Sequence, residues 1–282
     1  MKYNYNIYVG IITYNPNIER LNENINAVID GAEIIIVDNN SENINDIEYI
    51  INKYPNIKII KNSKNLGIAK ALNQAMEYGY MNSYDWMLTL DQDSVCPFEY
   101  INKMSNIFNV EKKIGIVAPT IIDRNTGIVG HKINNMYKLV RTCISSGSFV
   151  NIKAWKDIGG YDESMFIDSV DFEFCYRMRK NKYKILQTSD IKLLHEIGNR
   201  RNYKFLFWKV KVNGHSAFRK YYIARNNIYY PLKHNLWLHF LRGNFRNLLL
   251  LISVLLYEED KVNKYESILK GWKNGLVKGI QK

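Results

Sequence analysis

The stretch MLTLDQDSVCP, Met87–Pro97, decides the fold class of this chain. It opens with an apolar run typical of a buried strand and ends in two carboxylates, Asp91 and Asp93, with one residue between them. Three similar apolar runs precede it, and helical patterns separate them. These runs are Ile7–Ile12, Glu33–Asp38 and Ile57–Ile60. All-apolar strands are typical of parallel sheets buried on both faces, so we predict a βαβαβαβ order and a Rossmann-like, mostly parallel α/β sheet flanked by helices.

Polar side chains follow three of these predicted strands. Thr13 follows the first, Asp38 ends the second, and Asp91 and Asp93 follow the fourth. Ligands of open α/β sheets bind outside the carboxyl ends of the strands, so we expect these side chains to converge on one ligand. The first strand is not followed by G-x-G-x-x-G, which argues against a dinucleotide-dependent dehydrogenase.

Two carboxylates one residue apart can flank a cation when they lie on a tight loop. Hard divalent ions take oxygen ligands and commonly bridge protein carboxylates to phosphates. In the alternative interpretation, Asp91 or Asp93 caps a helix that begins at Pro97. The position at the end of a fourth buried strand, opposite Asp38, favours the cation site.

A second acidic group lies in FIDSVDFEF and contains Asp168, Asp171 and Glu173. Asp168 and Asp171 share a face if the segment is helical, and Glu173 is expected to pair with Arg177 at i+4. Apolar neighbours raise the pKa of a carboxyl group, which suits a general base. The alternative is a solvated helix start that the macrodipole stabilises.

Composition limits the class of partner and the compartment. The net charge of +12, from 39 basic and 27 acidic residues, favours nucleic acid, a phosphorylated ligand or an anionic membrane. The three cysteines are scattered without a CxxC pair, which argues against zinc and disulfide frameworks and fits a reducing compartment. No signal peptide is expected. The longest apolar run, Leu248–Leu256, has nine residues, against the ~20 of a membrane span. We expect a cytoplasmic protein that can still contact the inner face of the membrane.

The sequence changes character after about residue 198. We predict an α/β domain over residues 1–198 and a helical, basic, aromatic-rich region over residues 199–282. The segment Trp237–Tyr257 is amphipathic, and three interpretations stay open for it: contact with a membrane surface, packing on the core, or a homodimer contact.

Seven segments, in order and at matching spacings, resemble those of the inverting family 2 glycosyltransferases, which have the GT-A fold. They are TYNP, IIIVDNNS, NLGIAKALN, LTLDQDS, SSGSFV, GGYDESMFIDSVDFEFCYR and LLHEIG, and the resemblance covers residues 7–230. The DQDS form, with FIDSVDFEF and YYIARN, is similar to the bacterial rhamnosyltransferase branch. The resemblance implies a nucleotide-sugar part at residues 1–95 and an acceptor and catalytic part at residues 96–198.

The resemblance also implies an activity. It is the transfer of a sugar, in the first place rhamnose from dTDP-rhamnose, to a hydroxyl of a cell-surface glycan or a lipid-linked oligosaccharide precursor. Within the family, the alternative is a UDP-sugar donor. Two readings from other classes are a nucleotidyltransferase, for which TYNPNIER lacks the expected basic Gly-rich loop, and a basic nucleic-acid-binding module. The leading reading includes no nucleic-acid partner.

The site residues that the resemblance implies fall into three groups. Those for the nucleotide sugar are Thr13, Asp38, Asn65, Lys70, Asp91 and Gln92. Asp93 would coordinate Mn²⁺ or Mg²⁺ on the donor diphosphate, and His195 would complete the metal or diphosphate site. A lone histidine is otherwise more often structural. Asp171 would be the catalytic base.

Four further residues are implied on the acceptor side: Asp168, Ser146, Gly147 and Arg225. Many relatives carry an acidic pair where this chain has Val170 and Asp171. The role of the first acid is therefore either absent here or moved to Asp168.

Overall fold

A computed structural model describes residues 5–123, 127–129, 131, 133, 135–195, 200–205 and 208–280, with backbone alone for 123, 129, 195, 200–205 and 208–213. The chain divides into two compact units. The first comprises Met1–Ser164 and Asp171–Glu196, and the second comprises Met165–Val170 and Ile197–Lys282. Besides its C-terminal part, the second unit also includes the short segment Met165–Val170.

The first half of the sheet contains four parallel strands in the order β3-β2-β1-β4. They are β1 (Ile7–Thr13), β2 (Glu33–Asp38), β3 (Ile57–Lys61) and β4 (Trp86–Asp91). The helices between them are α1 (Ile18–Asn26), α2 (Ile44–Ile51) and α3 (Ile68–Met81). The predicted βαβαβαβ order is confirmed.

The second half of the sheet is mixed. Its elements are α4 (Tyr100–Ser105), β5 (Ile114–Asp123), β6 (Gly127–Val129), β7 (Tyr137–Leu139), β8 (Phe149–Asn151), α5 (Ile152–Asp157), α6 (Val170–Lys180) and β9 (Lys184–His195). Strand β8 runs antiparallel between β4 and β5, whereas β5 and β9 are parallel and β7 lies antiparallel on β9. The parallel arrangement predicted from the sequence therefore holds for the first four strands, three of which carry the polar clusters.

The core explains why these runs form strands. Ile34, Ile35 and Ile36 of β2 are fully buried, as expected for a strand covered on both faces. Helix α3 approaches the sheet closely at Gly79, where an added Cβ would overlap the Tyr8 ring. The Tyr8 hydroxyl donates to the carbonyl of Ala75 at 2.8 Å. Glycine at position 79 therefore lets an aromatic ring fit between strand and helix.

The segment before α6 differs from the sequence-based prediction. Helix α6 begins at Val170, so Asp168 precedes it and does not share a helical face with Asp171. Phe166, Asp168 and Ser169 have positive φ angles of 60°, 63° and 62°. Side chains other than glycine rarely adopt this conformation, so specific contacts must hold the segment.

The second unit contains a hairpin and three long helices: β10 (Arg200–Phe205), β11 (Trp208–Asn213), α7 (Ala217–Lys233), α8 (Trp237–Tyr257) and α9 (Lys261–Ile280). The region predicted to be helical from residue 199 therefore starts with an antiparallel hairpin. Gly271 and Gly275 bring α9 against α7, because a Cβ at either position would overlap a backbone carbonyl of α7.

Within the described part of the chain, α8 is the one helix that is long and apolar enough to cross a membrane. This rests on length and composition alone, and 22% of its most apolar window is buried inside the protein. The length of the longest apolar run, Leu248–Leu256, does not indicate a membrane-spanning helix here, because Arg242 and Arg246 interrupt a longer apolar pattern.

Candidate active site

The carboxyl ends of β1, β2 and β4 meet at one edge of the sheet. Thr13 is the register partner of Asp38, and Ile12 is the register partner of Asp91. The structure therefore brings together the polar ends of three strands, as the topology predicts.

Asp38 is almost fully buried and holds the turn after β2. Its Oδ1 accepts hydrogen bonds from the Thr13 hydroxyl at 2.8 Å and from the Ser41 hydroxyl at 2.5 Å. Its Oδ2 accepts from the Ser41 backbone N–H at 2.8 Å. The backbone N–H of Asn15 donates to the Ser41 hydroxyl at 2.8 Å. The carboxylate thus fixes the end of β1 to the turn that follows β2.

Asparagines shape the turn before α3. The Asn65 Oδ1 accepts from the backbone N–H of Gly67 at 2.9 Å, and the Asn39 amide donates to the Gly67 carbonyl at 3.3 Å. Lys70, one turn into α3, forms an ion pair with Glu163 at 3.1 Å. Asn65 therefore has a local role in this turn, and the structure pairs Lys70 with Glu163 rather than with the residues at the strand ends.

The loop after β4 is tied to its neighbours at two points. The Asn24 amide donates to the Asp91 carbonyl oxygen at 2.7 Å, while the Asp91 N–H donates to the Ser146 hydroxyl at 3.2 Å. The Gln92 side chain accepts from the Tyr14 N–H at 2.8 Å and donates back to the Tyr14 carbonyl at 3.4 Å. Gln92 thus connects the ends of β4 and β1.

Asp93, by contrast, is exposed at this edge. Neither acid caps the next helix, because α4 begins at Tyr100 with Glu99 as its N-cap residue. The capping interpretation is therefore wrong. Among the described residues, no group of three His, Cys, Asp or Glu side chains is arranged to hold a metal.

His195 lies at the end of β9, and its side chain is outside the described part of the structure. The position of its backbone is described, however. Val95 forms an antiparallel bridge with Leu194, directly beside His195 in the chain. Strand β9 therefore brings the backbone of residue 195 next to the loop that carries Asp93.

Ser146 and Gly147 are packed beneath this loop. The Ser146 hydroxyl donates to that of Ser94 at 2.7 Å, and the Gly147 N–H donates to the Thr89 carbonyl at 2.7 Å. Gly147 has a φ of +77°, and a Cβ there would overlap Leu193. Both residues therefore hold β4 and the loop that follows it in place.

Asp171 is part-buried in the first turn of α6, close to two weakly acidic groups. Burial, and then the negative charge of Asp171, raise the pKa of the Tyr161 hydroxyl well above its usual value. The pKa of the Cys143 thiol is raised by its hydrogen bond with Cys175 and by burial, with a further contribution from Asp171. The Tyr161 ring stacks on Phe174 of α6 at 3.9 Å.

A buried ion pair anchors the same helix. Glu173 is fully buried and accepts hydrogen bonds from the Arg177 Nε and Nη2 at 2.8 to 2.9 Å. The Arg177 Nη1 donates to the carbonyl of Ile158 at 2.8 Å. The pairing of Glu173 with Arg177 predicted from the sequence is confirmed.

The remaining candidates, Asp168 and Arg225, belong to the second unit. Asp168 pairs with Arg219 at 3.0 Å, and the Arg225 Nη2 donates to the Met165 carbonyl at 2.8 Å. Asn226 was not among the candidates, although its amide donates at 2.8 to 3.0 Å to three backbone carbonyls, those of Met165, Ile167 and Asp168. The motif YYIARN ends in Asn226 and is the sequence signal that could have identified this residue.

Comparison with known proteins identifies the class. The family model for glycosyl transferase family 2 matches residues 8–188. The chain is 30% identical over 249 residues to the dTDP-rhamnosyl transferase RfbF of Shigella flexneri, covering 79% of each chain. This protein therefore belongs to glycosyl transferase family 2 and is a glycosyltransferase. The class shown is the glycosyltransferase that the resemblance implied, and not a nucleotidyltransferase.

Solved structures agree on the fold. GalNAc-T7, solved with UDP, GalNAc and Mn²⁺, superposes with a TM-score of 0.60 at 15% identity, over 83% of this chain and 51% of that one. The mannosyltransferase PcManGT from Pyrobaculum calidifontis, in complex with GDP-Man and Mn²⁺, gives 0.58 at 11% identity, over 99% and 88%. The chain thus has the GT-A fold, with a C-terminal region that contains three helices.

Proposed function

We propose that this enzyme transfers rhamnose from dTDP-rhamnose to a hydroxyl of a cell-surface glycan or a lipid-linked oligosaccharide precursor, by a single displacement that inverts the anomeric centre. The similarity to the rhamnosyl transferase of Shigella flexneri supports this donor. The observation that carries the proposal is the convergence of the β1, β2 and β4 ends at one edge, where a nucleotide diphosphate would bind.

The donor-binding surface would comprise two fixed turns. The Asp38 carboxylate, held by Thr13 and Ser41, sets the turn after β2, and Gln92 joins the loop after β4 to β1. Such preorganised turns present backbone and side-chain polar groups to the base and ribose without further ordering. Asp91 is the candidate ribose contact, and Asn65 would line the same pocket through the turn before α3. Lys70 is a phosphate candidate only if its ion pair with Glu163 opens.

Asp93 and His195 would hold a Mn²⁺ or Mg²⁺ ion. A carboxylate oxygen and an imidazole nitrogen suit Mn²⁺, and the exposure of Asp93 leaves its carboxylate accessible from solvent. When bound, the ion would offset the negative charge that develops on the leaving diphosphate. Two structural relatives were solved with Mn²⁺, which supports a divalent ion here.

Asp171 is the proposed base that takes the proton from the acceptor hydroxyl. Its part-buried position in α6 is fixed by two contacts of that helix, the Tyr161–Phe174 stack and the Glu173–Arg177 pair. A base must be held within hydrogen-bond reach of its proton, so a rigid helix is a suitable support. Ser146, Gly147 and Arg225 are proposed to act indirectly on the acceptor side, through the loops that they hold.

The first test measures nucleotide binding by calorimetry with dTDP and with UDP, each with and without Mn²⁺. Metal-dependent binding of dTDP that is tighter than that of UDP is expected. Preference for UDP would favour the alternative, a UDP-sugar donor. Asp93→Ala should remove the metal-dependent part of binding while leaving thermal stability unchanged. Binding that persists unchanged in Asp93→Ala would contradict the proposed metal site.

The second test addresses the base. Asp171→Asn keeps the shape of the side chain but accepts no proton at neutral pH, so kcat should fall by about 10²–10⁴ with little change in donor affinity. Asp168→Asn is the control, since Asp168 is paired with Arg219. If Asp168→Asn alone abolishes turnover with unchanged donor affinity, Asp168 is the base.

A further inference from the structure

Helix α8 presents a continuous apolar face to solvent. Its inner face, with Gly243, Asn247, Leu251 and Val254, is buried within the second unit. On the opposite side, nine apolar side chains between Trp237 and Leu256 are 43% to 71% exposed. At 100° per residue they occupy an arc of about 120°, which makes one stripe along the whole helix. Isolated exposed apolar residues are ordinary, but a stripe of this length indicates a partner.

Along α8 itself, the charged side chains beside this stripe are basic. Arg242 and Arg246 are exposed on one margin of the stripe, one helical turn apart. The sequence from Trp237 to Tyr257 contains no Asp or Glu. The helix therefore combines apolar side chains with exposed cations, whereas the exposed acids Glu259 and Asp260 follow only after its end, and this face complements a surface that is apolar and anionic.

An apolar cavity of about 230 Å³ opens at the start of α8. Its lining includes Leu232, Leu236, Trp237, Phe240 and Ile280. Trp237 both lines this cavity and is 66% exposed. An aromatic residue with an apolar body and a polar N–H is the type of side chain enriched at the boundary between headgroups and acyl chains.

A second copy of this chain fits the face less well than a lipid surface. In a two-fold symmetric contact of α8 on α8, the partner helix offers no carboxylate to Arg242 or Arg246. Bringing these guanidinium groups to such an interface would remove water from them without compensation.

A transmembrane orientation is also disfavoured. Arg246 is the tenth of the 21 residues of α8, so a spanning helix would place its charge near the centre of the bilayer, where charged groups are costly. The opposite side of the helix is also engaged, since the Asn247 amide donates to the Ala224 carbonyl of α7 at 2.9 Å. A helix that lies in the plane of the interface keeps Arg246 away from the bilayer centre and leaves the hydrogen bond between Asn247 and Ala224 intact.

We propose that α8 docks this enzyme on an anionic lipid surface, with the apolar stripe at the level of the first acyl carbons and Arg242 and Arg246 at the headgroups. The proposal goes beyond sugar transfer. It concerns where the enzyme resides, and it would bring a soluble catalyst to a lipid-linked acceptor.

The test is co-sedimentation of the full chain with phosphatidylcholine vesicles, with and without phosphatidylglycerol, at low and high salt. Binding to the anionic vesicles at low salt and release at high salt are expected. Absence of binding to anionic vesicles at low salt overturns the proposal. Binding that survives high salt and alkaline extraction would instead indicate a spanning helix, and it overturns the proposal as well.

Two variants locate the surface. The double variant Arg242→Gln, Arg246→Gln should weaken binding by about thirtyfold. The double variant Phe245→Ser, Leu248→Ser should abolish it. Met81→Ser, at a residue that is 73% exposed in the first unit, is the matched control and should bind like the unaltered chain. Equal binding by all three variants overturns the proposal.

Two further measurements keep the outcomes separate. Light scattering reports the oligomeric state, and a dimer that becomes monomeric in Phe245→Ser, Leu248→Ser would assign the face to a second copy. If circular dichroism shows that the variant Phe245→Ser, Leu248→Ser does not fold, the vesicle binding of the variant Arg242→Gln, Arg246→Gln still tests the proposal. Nucleotide binding in solution should be the same in all variants, so loss of vesicle binding alone leaves the proposed transferase activity untouched.

Discussion

The buried ion pair in α6 supports a quantitative prediction about stability. Glu173→Gln removes the charge of a carboxylate that is 0% exposed, while the Arg177 side chain beside it stays only 14% exposed. The glutamine side chain offers one acceptor oxygen where the carboxylate accepts three hydrogen bonds from Arg177. Breaking one partner of such a buried pair costs about 3–5 kcal/mol, since the remaining charge is left without compensation. That loss is a large part of the ~5–15 kcal/mol typical of a folded domain.

Urea unfolding followed by circular dichroism measures this loss as a lower midpoint with an unchanged slope. The matched control is Glu48→Gln, which breaks an equally short but exposed pair with Lys61 (2.7 Å, side chains 37% and 54% exposed). An exposed pair contributes at most about 1 kcal/mol. If the two variants lose the same stability, then burial does not determine the strength of the α6 anchor and the reasoning fails.

Three further predictions concern the second unit. Burial, and then the positive charge of Arg219, lower the pKa of His215 in the folded protein below the ~6.5 of the unfolded chain. Between these two pKa values the unfolded chain binds more protons, so the contribution to stability that is present above pH ~6.5 is lost as the pH falls through the lowered pKa of the folded state. His215→Asn should flatten that part of the dependence of Tm on pH. Asn226→Asp should cost about 2–4 kcal/mol because the amide's hydrogen bonds to three carbonyls are lost, whereas Asn227→Asp, which loses the amide hydrogen bond to the Asn247 side chain, should cost about 1 kcal/mol in the same urea experiment. Gly275→Ala places a Cβ against a carbonyl oxygen of α7 and should lower the free energy of unfolding by about 1–3 kcal/mol, which urea denaturation will show as a lower midpoint.

The first half of the sheet was predictable because its signals are local. Each of the first four strands is a short apolar run between helical patterns, and such alternation of strands and helices is typical of a parallel sheet. The second half depends on pairing between distant segments: β8 has three residues and pairs with β4, which lies about sixty positions earlier in the chain. No local pattern marks such a short strand, so its antiparallel insertion could not be predicted.

The shared helical face of Asp168 and Asp171, which depends on a helix that includes both residues, is not formed for a related reason. The spacing of Asp168 and Asp171 is compatible with one helical face, and local propensity offers nothing against it. The positive φ at Asp168 and Ser169 is stabilised by Asn226, which lies 58 residues later than Asp168 in the sequence. The close packing of α9 on α7 is easier to predict from the sequence, because glycines recur every fourth residue from Gly271 to Gly279 and mark one face of the helix.

The structure separates acids that hold the fold from an acid that a ligand can reach, and this separation is invisible in the sequence. Asp38 and Glu173 are buried, and each accepts three hydrogen bonds from within the protein. Asp168 is paired with a guanidinium. Asp93 is exposed at the strand edge, so its carboxylate can meet a cation from solvent without breaking a buried contact. The acid spacing D-x-D predicted a cation site, but only the hydrogen bonds of the surrounding acids show why Asp93, rather than Asp38, is its most accessible candidate.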